Sequence, residues 1–421
     1  MENFFKYKNK SLHIDGVEIP RIIRHTGTPV YIYSARRIIS RIESYKKGLK
    51  GYSHIICYAL KANSNNAIVR LVSKSGCGAD ITSGGELYRA LKGGVDTSKI
   101  VYAGVGKTAE EMRYALKSGI LMFNLESWPE AVLLNSVAGS MGKKARVAVR
   151  INPDVDARTH KKITTGRSGT KFGIPISEAV EFYRRLAGLK NLEISGIHSH
   201  IGSQITSSAP FVESARKIKN LIPQIEKFAL IKYVDLGGGL GITYRPTDNP
   251  PAPERFAKDV LKVFSSHEDK KRTYIFEPGR SIVGDSSCLV SSVIYVKKVL
   301  GKNFVILDAG MSDLIRPTLY DAYHEILPVG LYSSYGRFMK ADVVGPICET
   351  GDFLGLARKL PAEINSGDLI AVMSAGAYGY AMSSQYNSRP RPAEVMVYPD
   401  GKFRVIRRRE NYPDLVRTEK I

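Results

Sequence analysis

The unit that decides the fold appears twice in residues 55–92, which read IICYALKANSNNAIVRLVSKSGCGADITSGGELYRALK. A short apolar run at residues 55–60 is followed by residues 67–74, where apolar side chains recur with helical spacing. The same order returns with residues 78–81 and 85–92. Buried strands that alternate with amphipathic helices are typical of a parallel sheet covered by helices.

The alternation continues to about residue 280 and includes eight apolar runs. Eight strand-and-helix units in a segment of about 250 residues match a parallel barrel ringed by helices. We predict strands at residues 55–60, 78–81, 100–103, 121–125, 146–151, 194–198, 233–236 and 274–276, with helices at residues 67–74, 85–92, 109–117, 177–186, 211–228 and 253–264.

The rhythm changes after about residue 285, where strand-like runs are separated by turn signals such as Pro399-Asp400-Gly401. The opening segment also looks extended, at residues 12–19 and 30–33, and we expect it to pair with this second region. We therefore predict an α/β fold with a (β/α)8 TIM-like barrel at residues 36–283. A β-rich domain, a sandwich or barrel, is predicted from residues 1–35 and 284–421. Its predicted strands are residues 288–299, 304–307, 369–373, 394–398 and 403–406.

The composition is that of a folded protein with an excess of basic side chains. Hydrophobic residues make up 43% and charged residues 24% of the 421 positions, which argues against a disordered chain. Lys and Arg number 62 against 40 Asp and Glu, a formal net charge of +22. Because the basic residues are spread along the whole chain, the pattern favours a solvated basic surface, and we expect no nucleic-acid partner.

The cysteines and the N-terminal residues bear on the compartment. Four widely spaced cysteines form neither a disulfide framework nor a CxxC metal pattern, which favours a reducing compartment. Lysines interrupt the first 14 residues, and no later run approaches the length of an apolar membrane span. We expect a cytoplasmic protein with no membrane partner.

The chemically unusual residues lie where the predicted barrel strands end, at the face where such barrels carry their active sites. Lys61 ends the first strand, and a partly desolvated lysine can act as a nucleophile toward a carbonyl group. Taken alone, Lys61 fits a strand-end lysine that reaches solvent better than a nucleophile, and the other strand ends shift that balance. His198 and His200 resemble a metal pair, but no further ligand accompanies them in that segment, so no metal is predicted. Other strand ends carry Asp80, Arg150, Gly237-Gly238-Gly239 and Glu277-Pro278-Gly279-Arg280.

The last two strand ends predict a phosphate site. Loops after the seventh and eighth strands usually bind phosphate in this fold, and here they carry the glycine triplet and Gly279-Arg280. A glycine triplet by itself is also compatible with a flexible turn. A nucleophilic lysine across the mouth from a phosphate site indicates pyridoxal phosphate, with Glu277 against the pyridine nitrogen and His200 on the ring face.

Several segments together resemble the fold type III pyridoxal-phosphate decarboxylases, which have an alanine-racemase-like barrel and a β domain. Within them, the chain is most similar to the branch that acts on meso-2,6-diaminopimelate. Thr350 stands where that branch often has serine. The resemblance implies conversion of meso-diaminopimelate to L-lysine and CO2, the last step of lysine biosynthesis, by a homodimer with shared active sites. The segments are residues 58–63, 198–204, 236–239, 277–280, 316–324, 348–352 and 376–380.

The resemblance also implies roles for individual residues. Lys61 would form an imine with the cofactor, and Cys348 would protonate the product carbon. Cys348 and Glu349 resemble a pair that one subunit inserts into its neighbour's site. A small buried apolar role is the alternative for Cys348. The implied cofactor contacts are Lys61, Asp80, Arg150, His200, Ser203, Gly238, Gly239, Glu277, Gly279, Arg280 and Tyr378, and the implied substrate contacts are Arg280, Arg316, Tyr320, Glu349 and Tyr378.

Three related activities compete with this interpretation. A racemase of this fold places an arginine against the pyridine nitrogen, whereas this chain has Glu277. Decarboxylases of ornithine or arginine need no residue for a distal carboxylate, whereas this chain has Arg316. A non-catalytic pyridoxal-phosphate carrier would be a lone barrel, with no use for the β-rich domain.

Overall fold

Twenty-one strands are present in a computed structural model that describes residues 4–157, 166, 169–331 and 337–420. They are β1 (Phe5–Lys8), β2 (Ser11–Ile14), β3 (Val17–Glu18), β4 (Val30–Ser34), β5 (Ser53–Ala59), β6 (Gly78–Ile81), β7 (Ile100–Tyr102), β8 (Met122–Leu125), β9 (Ala145–Asn152), β10 (Ile174–Pro175), β11 (Leu192–His198), β12 (Tyr233–Asp235), β13 (Thr273–Phe276), β14 (Ser287–Val299), β15 (Lys302–Leu307), β16 (Ile326–Pro328), β17 (Phe338–Val344), β18 (Phe353–Pro361), β19 (Leu369–Met373), β20 (Ala393–Val397) and β21 (Phe403–Arg407).

Thirteen α-helices accompany these strands in the described part of the chain. They are α1 (Ile19–Thr26), α2 (Ala35–Leu49), α3 (Asn66–Lys74), α4 (Gly84–Lys92), α5 (Ala109–Ser118), α6 (Trp128–Ser140), α7 (Ala179–Leu186), α8 (Ala209–Ile225), α9 (Pro253–Leu261), α10 (His267–Lys270), α11 (Arg280–Val283), α12 (Arg316–Tyr320) and α13 (Tyr412–Val416). Among the described residues, no helix combines the length and apolar character needed to cross a membrane.

The parallel barrel predicted from the sequence is confirmed. Its strands are hydrogen bonded in the order β5, β6, β7, β8, β9, β11, β12 and β13, and β13 pairs with β5 to close the ring. All of these pairings are parallel. The apolar runs that predicted the strands fill the interior, where buried Cys57, Val101, Met122, Ala148 and Ile275 pack together.

Polar caps fix where several barrel helices begin. The side chains of Asn65, Ser83, Thr108 and Ser127 each accept a hydrogen bond from a backbone N–H in the first turn of α3, α4, α5 and α6. Such caps satisfy donors that a helix leaves unpaired at its N-terminus. Each of these helices therefore begins only a few residues after a strand ends, and short loops separate them at the C-terminal face of the barrel.

Residues 1–38, 243–248 and 283–421 form a second compact unit, and residues 39–242 and 249–282 form the barrel unit. The main sheet of the second unit has the order β18, β17, β15, β14, β4, β20 and β21, with β19 paired to both β14 and β16. The expected pairing of the opening segment is seen in β4, which lies between β14 and β20. Strands β1, β2 and β3 form a separate antiparallel sheet.

Several elements were not predicted from the sequence, among them α2, α6, β17 and β18. Apolar and small residues occur on all faces of α6, so its sequence lacks the amphipathic period that would predict a helix. Strands β17 and β18 carry charged residues within their runs, including Lys340, Asp342 and Arg358, and their pairing contains register shifts. Strand β18 also lies at an edge of the sheet. Edge strands often carry charged side chains, so its sequence lacks the apolar run that would predict a strand.

Candidate active site

Lys61 lies at the mouth of the barrel, in a single 3₁₀ turn, Leu60–Ala62, that directly follows β5. Its Nζ donates a hydrogen bond to Asp80 Oδ2 at the end of β6, at 2.8 Å. The Asp80 side chain is fully buried, whereas 35% of the Lys61 side chain is exposed. The amine is thus fixed by a buried carboxyl group and still reaches the open face of the barrel.

Asp80 is an unusually weak acid. Burial and the nearby charge of Glu277 raise the pKa of Asp80 to about 7, and the opposing effect of Lys61 is smaller. A carboxyl group with this pKa exchanges its proton near neutral pH. Asp80 is therefore suited to hold or release a proton beside the Lys61 amine.

Glu277 follows β13 and is buried beneath the mouth, with 3% of its surface exposed. Burial alone would raise the pKa of Glu277, but the His198 imidazole and the Lys61 amine outweigh it and hold that pKa below its usual range. His198 Nε2 lies 3.4 Å and His200 Nδ1 3.9 Å from Glu277 Oε2. The site therefore contains an ionised carboxylate in a water-poor environment.

His200 is held as a neutral ring in one tautomer. The Gly238 backbone N–H donates to His200 Nδ1 at 3.0 Å, which places the ring proton on Nε2. Burial and the charges of Arg150 and Lys61 lower the pKa of His200 well below its usual value. A neutral imidazole of fixed orientation can pack against a flat aromatic group without adding charge.

The loops around Gly239 and Gly279 are packed too closely to accept a side chain at either glycine. Gly239 has φ +115°, and a Cβ there would collide with the carbonyl oxygen of Gly202. A Cβ at Gly279 would lie 2.9 Å from the Cβ of Ala62. Arg280 donates to Ser203 Oγ at 3.0 Å, so a guanidinium and a hydroxyl meet at the same face. A guanidinium and a hydroxyl beside glycine loops form a donor set suited to phosphate.

Arg150 is positioned by a glutamate that the sequence did not single out. Its guanidinium donates to Glu126 Oε1 at 2.9 Å, packs over the Phe172 ring at 4.7 Å, and lies 3.5 Å from the His200 carbonyl oxygen. Glu126 also accepts from the Gly173 N–H at 3.1 Å. Glu126 directly follows the buried strand β8, and Asp80 likewise lies at a strand end. This position is the sequence feature that could have identified Glu126 as a site residue.

Two more buried residues were missed. Asn124 in β8 and Asp235 in β12 have no exposed surface. The oxygen and nitrogen ligand atoms of His198, Asp235 and Glu277 all lie within 4.8 Å of one another. His198 has no partner in its own segment of the sequence because both carboxyl groups come from other strands. Asp235 ends β12, two residues before the glycine triplet, and that position was the available signal.

Four of the five predicted substrate contacts lie in the β-rich unit, and the fifth, Arg280, lies in the barrel unit. Arg316 begins α12 and is buried, with 6% of its surface exposed. Its guanidinium packs over the Tyr244 ring at 4.6 Å and donates to His324 Nε2 at 2.8 Å. His324 Nδ1 donates in turn to the Met373 carbonyl oxygen at 2.8 Å. Tyr320 ends α12, and Tyr378 has a left-handed backbone with φ +56°.

Cys348 and Glu349 are exposed in the same unit, so the alternative of a small buried cysteine is wrong. Asp352 holds the turn that presents them, because its carboxylate accepts from the Ile347 N–H at 2.7 Å and the Met311 N–H at 2.6 Å. The Asn387 side chain accepts from the Cys348 N–H at 2.8 Å. The turn is thus fixed by side chains while the thiol remains accessible.

The chain matches one protein family over most of the barrel and known proteins over its whole length. The model of the family described as "Pyridoxal-dependent decarboxylase, pyridoxal binding domain" matches residues 35–284. A diaminopimelate decarboxylase of Aquifex aeolicus is 50% identical over 98% of this chain and 96% of its own length. The structure of diaminopimelate decarboxylase from M. jannaschii in complex with L-lysine has a TM-score of 0.93, 36% identity, and coverage of 100% and 98%.

A second solved structure gives the same picture. Diaminopimelate decarboxylase from Helicobacter pylori, complexed with L-lysine, has a TM-score of 0.89 and 40% identity over 95% of this chain and 98% of that one. The donor set of the barrel fits the cofactor that the family name states. Lys61 offers the amine, Glu277 the ionised carboxylate, and Arg280, Ser203 and the glycine loops the phosphate donors. The chain belongs to the pyridoxal-dependent decarboxylases and, within them, to the diaminopimelate decarboxylase family.

Proposed function

We propose that this chain decarboxylates meso-2,6-diaminopimelate to L-lysine and CO2, using pyridoxal phosphate, in the cytoplasm. The observation that carries the proposal is the buried Glu277 carboxylate, kept ionised beneath the same barrel mouth that presents Lys61. Pyridoxal phosphate, when bound, accepts the electron pair that remains on carbon after a carboxylate leaves. An ionised carboxylate favours a protonated pyridine ring, and an arginine in its place would not. Glu277 therefore favours decarboxylation over racemisation.

Different barrel residues would bind different parts of the cofactor. Lys61 Nζ would be the covalent attachment point, and Asp80 Oδ2, at 2.8 Å, is the atom that holds the proton this amine must lose. Arg280 and Ser203 would bind the phosphate, and the neutral His200 ring would pack against the pyridine face. Arg150 is held over His200 by Glu126 and limits movement of that segment.

Arg316 supports diaminopimelate as the substrate. Diaminopimelate carries an amino acid group at each end, so an enzyme that acts on one end must bind a second carboxylate. The buried Arg316 guanidinium is held in place by Tyr244 and His324, and a fixed guanidinium is the side chain best suited to a carboxylate. Ornithine has no distal carboxylate and gains nothing from such a group. Tyr320, Tyr378, Arg280 and Glu349 are the further proposed substrate contacts.

We expect Arg316→Ala to raise the KM for diaminopimelate about 10- to 100-fold, because a charge-assisted hydrogen bond to the distal carboxylate is lost. The cofactor content and its absorption spectrum are expected to change little, since Arg316 is not among the proposed cofactor contacts. Steady-state kinetics and absorption spectra measure both effects. Arg417→Ala, at an exposed position of the same unit, is the control. A KM equal to that of the control would exclude Arg316 as a substrate contact.

We also propose a homodimer in which Cys348 and Glu349 of one subunit complete the site of the other. Both side chains are exposed, on a turn fixed by Asp352 and Asn387. A thiol held in this way can deliver a proton to carbon, and a carboxylate can bind the distal ammonium group of the substrate. Cys348 is the proposed proton donor to the carbon that loses CO2.

A further inference from the structure

Two buried carboxyl groups share one hydrogen-bond donor at the floor of the barrel. Asn124 Nδ2 lies 3.2 Å from Asp235 Oδ2 and 3.4 Å from Glu277 Oε1. Asp235 and Glu277 expose 0% and 3% of their surfaces. The Gly237 N–H donates to Asp235 Oδ1 at 3.0 Å, so this carboxyl group is held from a second side. The two carboxyl groups therefore belong to one hydrogen-bonded network.

Two like charges this close in a buried site do not both persist. Burying a second carboxylate beside the first raises the free energy of the doubly ionised form, so one group keeps its proton. The neighbouring charges decide which one. His198 and Lys61 favour the ionised form of Glu277. Burial and the charge of Glu277 raise the pKa of Asp235 well above its usual value.

The surrounding strands add no cation that would reverse this assignment among the described residues. Cys57 lies on β5, and burial raises its pKa well above the usual value, so it is neutral. Asp80 is negative or neutral, and Lys61 is paired with it. Arg150 is paired with Glu126 at 2.9 Å. The titratable and charged groups considered around Asp235 and Glu277 are Cys57, Lys61, Asp80, Arg150, His198 and His200.

We propose that Asp235 is a positioning residue of the cofactor site, which keeps a proton so that Glu277 stays ionised and correctly oriented beneath the pyridine ring. Neutral Asp235 accepts from Gly237 through Oδ1 and turns its hydroxyl toward Glu277. Asp235 itself touches neither the cofactor nor the substrate in this assignment. The inference rests on the proposed function only for the statement that Glu277 meets the ring nitrogen.

The proton on Asp235 can be observed directly by infrared spectroscopy of the full chain labelled with ¹³C-aspartate, with and without pyridoxal phosphate. At about pH 8.5, Asp80 and Asp313, each with a pKa of about 7, are mostly ionised. We expect one labelled C=O band of a protonated carboxylic acid, absent in Asp235→Asn and retained in the control Asp259→Asn. No such band, or a band that survives in Asp235→Asn, overturns the proposal.

The variants separate a neutral donor from a carboxylate. Asp235→Asn keeps a neutral hydrogen-bond donor, so we expect its affinity for pyridoxal phosphate to stay within about threefold of the wild type. Asp235→Ala should lower that affinity tenfold or more, because Gly237 and Glu277 lose a hydrogen-bond partner. Glu277→Gln should move the titration of Asp235 to lower pH. Affinity lost equally in both Asp235 variants, or a stoichiometric metal ion bound to the wild type, contradicts the proposal. None of these readouts depends on which substrate is decarboxylated, so a wrong substrate would leave them unchanged.

Discussion

Lys61→Ala is expected to lose decarboxylase activity by about 1,000-fold or more and to lose the visible absorption band of lysine-bound pyridoxal phosphate. The reason is chemical, because alanine offers no amine to bond with the aldehyde. The structure gives Lys61 the required surroundings, with Asp80 at 2.8 Å and an open path to the barrel mouth. Activity assays and absorption spectra of the purified variant measure both losses.

Two controls make the Lys61 result specific. Lys117→Ala changes an exposed lysine on α5 and is expected to keep both activity and the absorption band. Borohydride reduction of the wild type, followed by peptide mass spectrometry, should place a pyridoxyl group on Lys61. A variant that keeps the band, or a label on another lysine, would show that the attachment point has been assigned wrongly.

The same variant tests the proposed shared sites when it is mixed with Cys348→Ala. If subunits exchange at random, half of the dimers are mixed, and each mixed dimer has one site with both Lys61 and Cys348 intact. We therefore expect the mixture to recover about one quarter of the wild-type activity. The two variants are denatured and refolded together so that their subunits exchange. The activity of the mixture is measured after refolding. A mixture that remains as inactive as the separate variants would mean that each subunit builds its own site.

Glu277→Gln is expected to lower kcat by about 100- to 1,000-fold, the range seen when one charge-stabilising group is removed from an active site. Glutamine keeps the size of the side chain but cannot hold a proton on the pyridine nitrogen through charge. We expect the protein to fold and to bind pyridoxal phosphate, because the phosphate donors Arg280 and Ser203 are unchanged. The loss should therefore appear in kcat rather than in cofactor content.

Glu110→Gln, at an exposed position in the first turn of α5, is the matched control for Glu277→Gln. Single-turnover measurements separate the chemical step from product release. A Glu277→Gln variant with the kcat of the control would show that the Glu277 charge does not contribute to the chemical step. Glu277 would then no longer favour decarboxylation over racemisation.

Most of the barrel strands could be predicted, and the proposed cofactor residues could be singled out, because their signals are local. Lys61, Asp80 and Glu277 each stand at the end of an apolar run, and in a parallel barrel the C-terminal ends of all strands lie at one face. The contact between Asn124 and Asp235 could not be found this way. The two side chains are 111 residues apart and meet only because the ring closes, so neither local pattern contains the other. Strands β17 and β18 were hidden by charged residues within their runs.

The predicted division into domains and the roles of the residues in the β-rich unit remain proposals. Arg316 was singled out by resemblance, and its fixed geometry depends on Tyr244 and His324, which no local pattern connects to it. The turn that carries Cys348 depends in the same way on Asp352 and Asn387. Nothing in the structure explains the net charge of +22.

The most direct test of the central claim is the release of CO2 from two substrates by the purified protein loaded with pyridoxal phosphate. The account predicts equal amounts of CO2 and L-lysine from meso-diaminopimelate, and no CO2 above background from ornithine. Release of CO2 from ornithine with none from meso-diaminopimelate would contradict it.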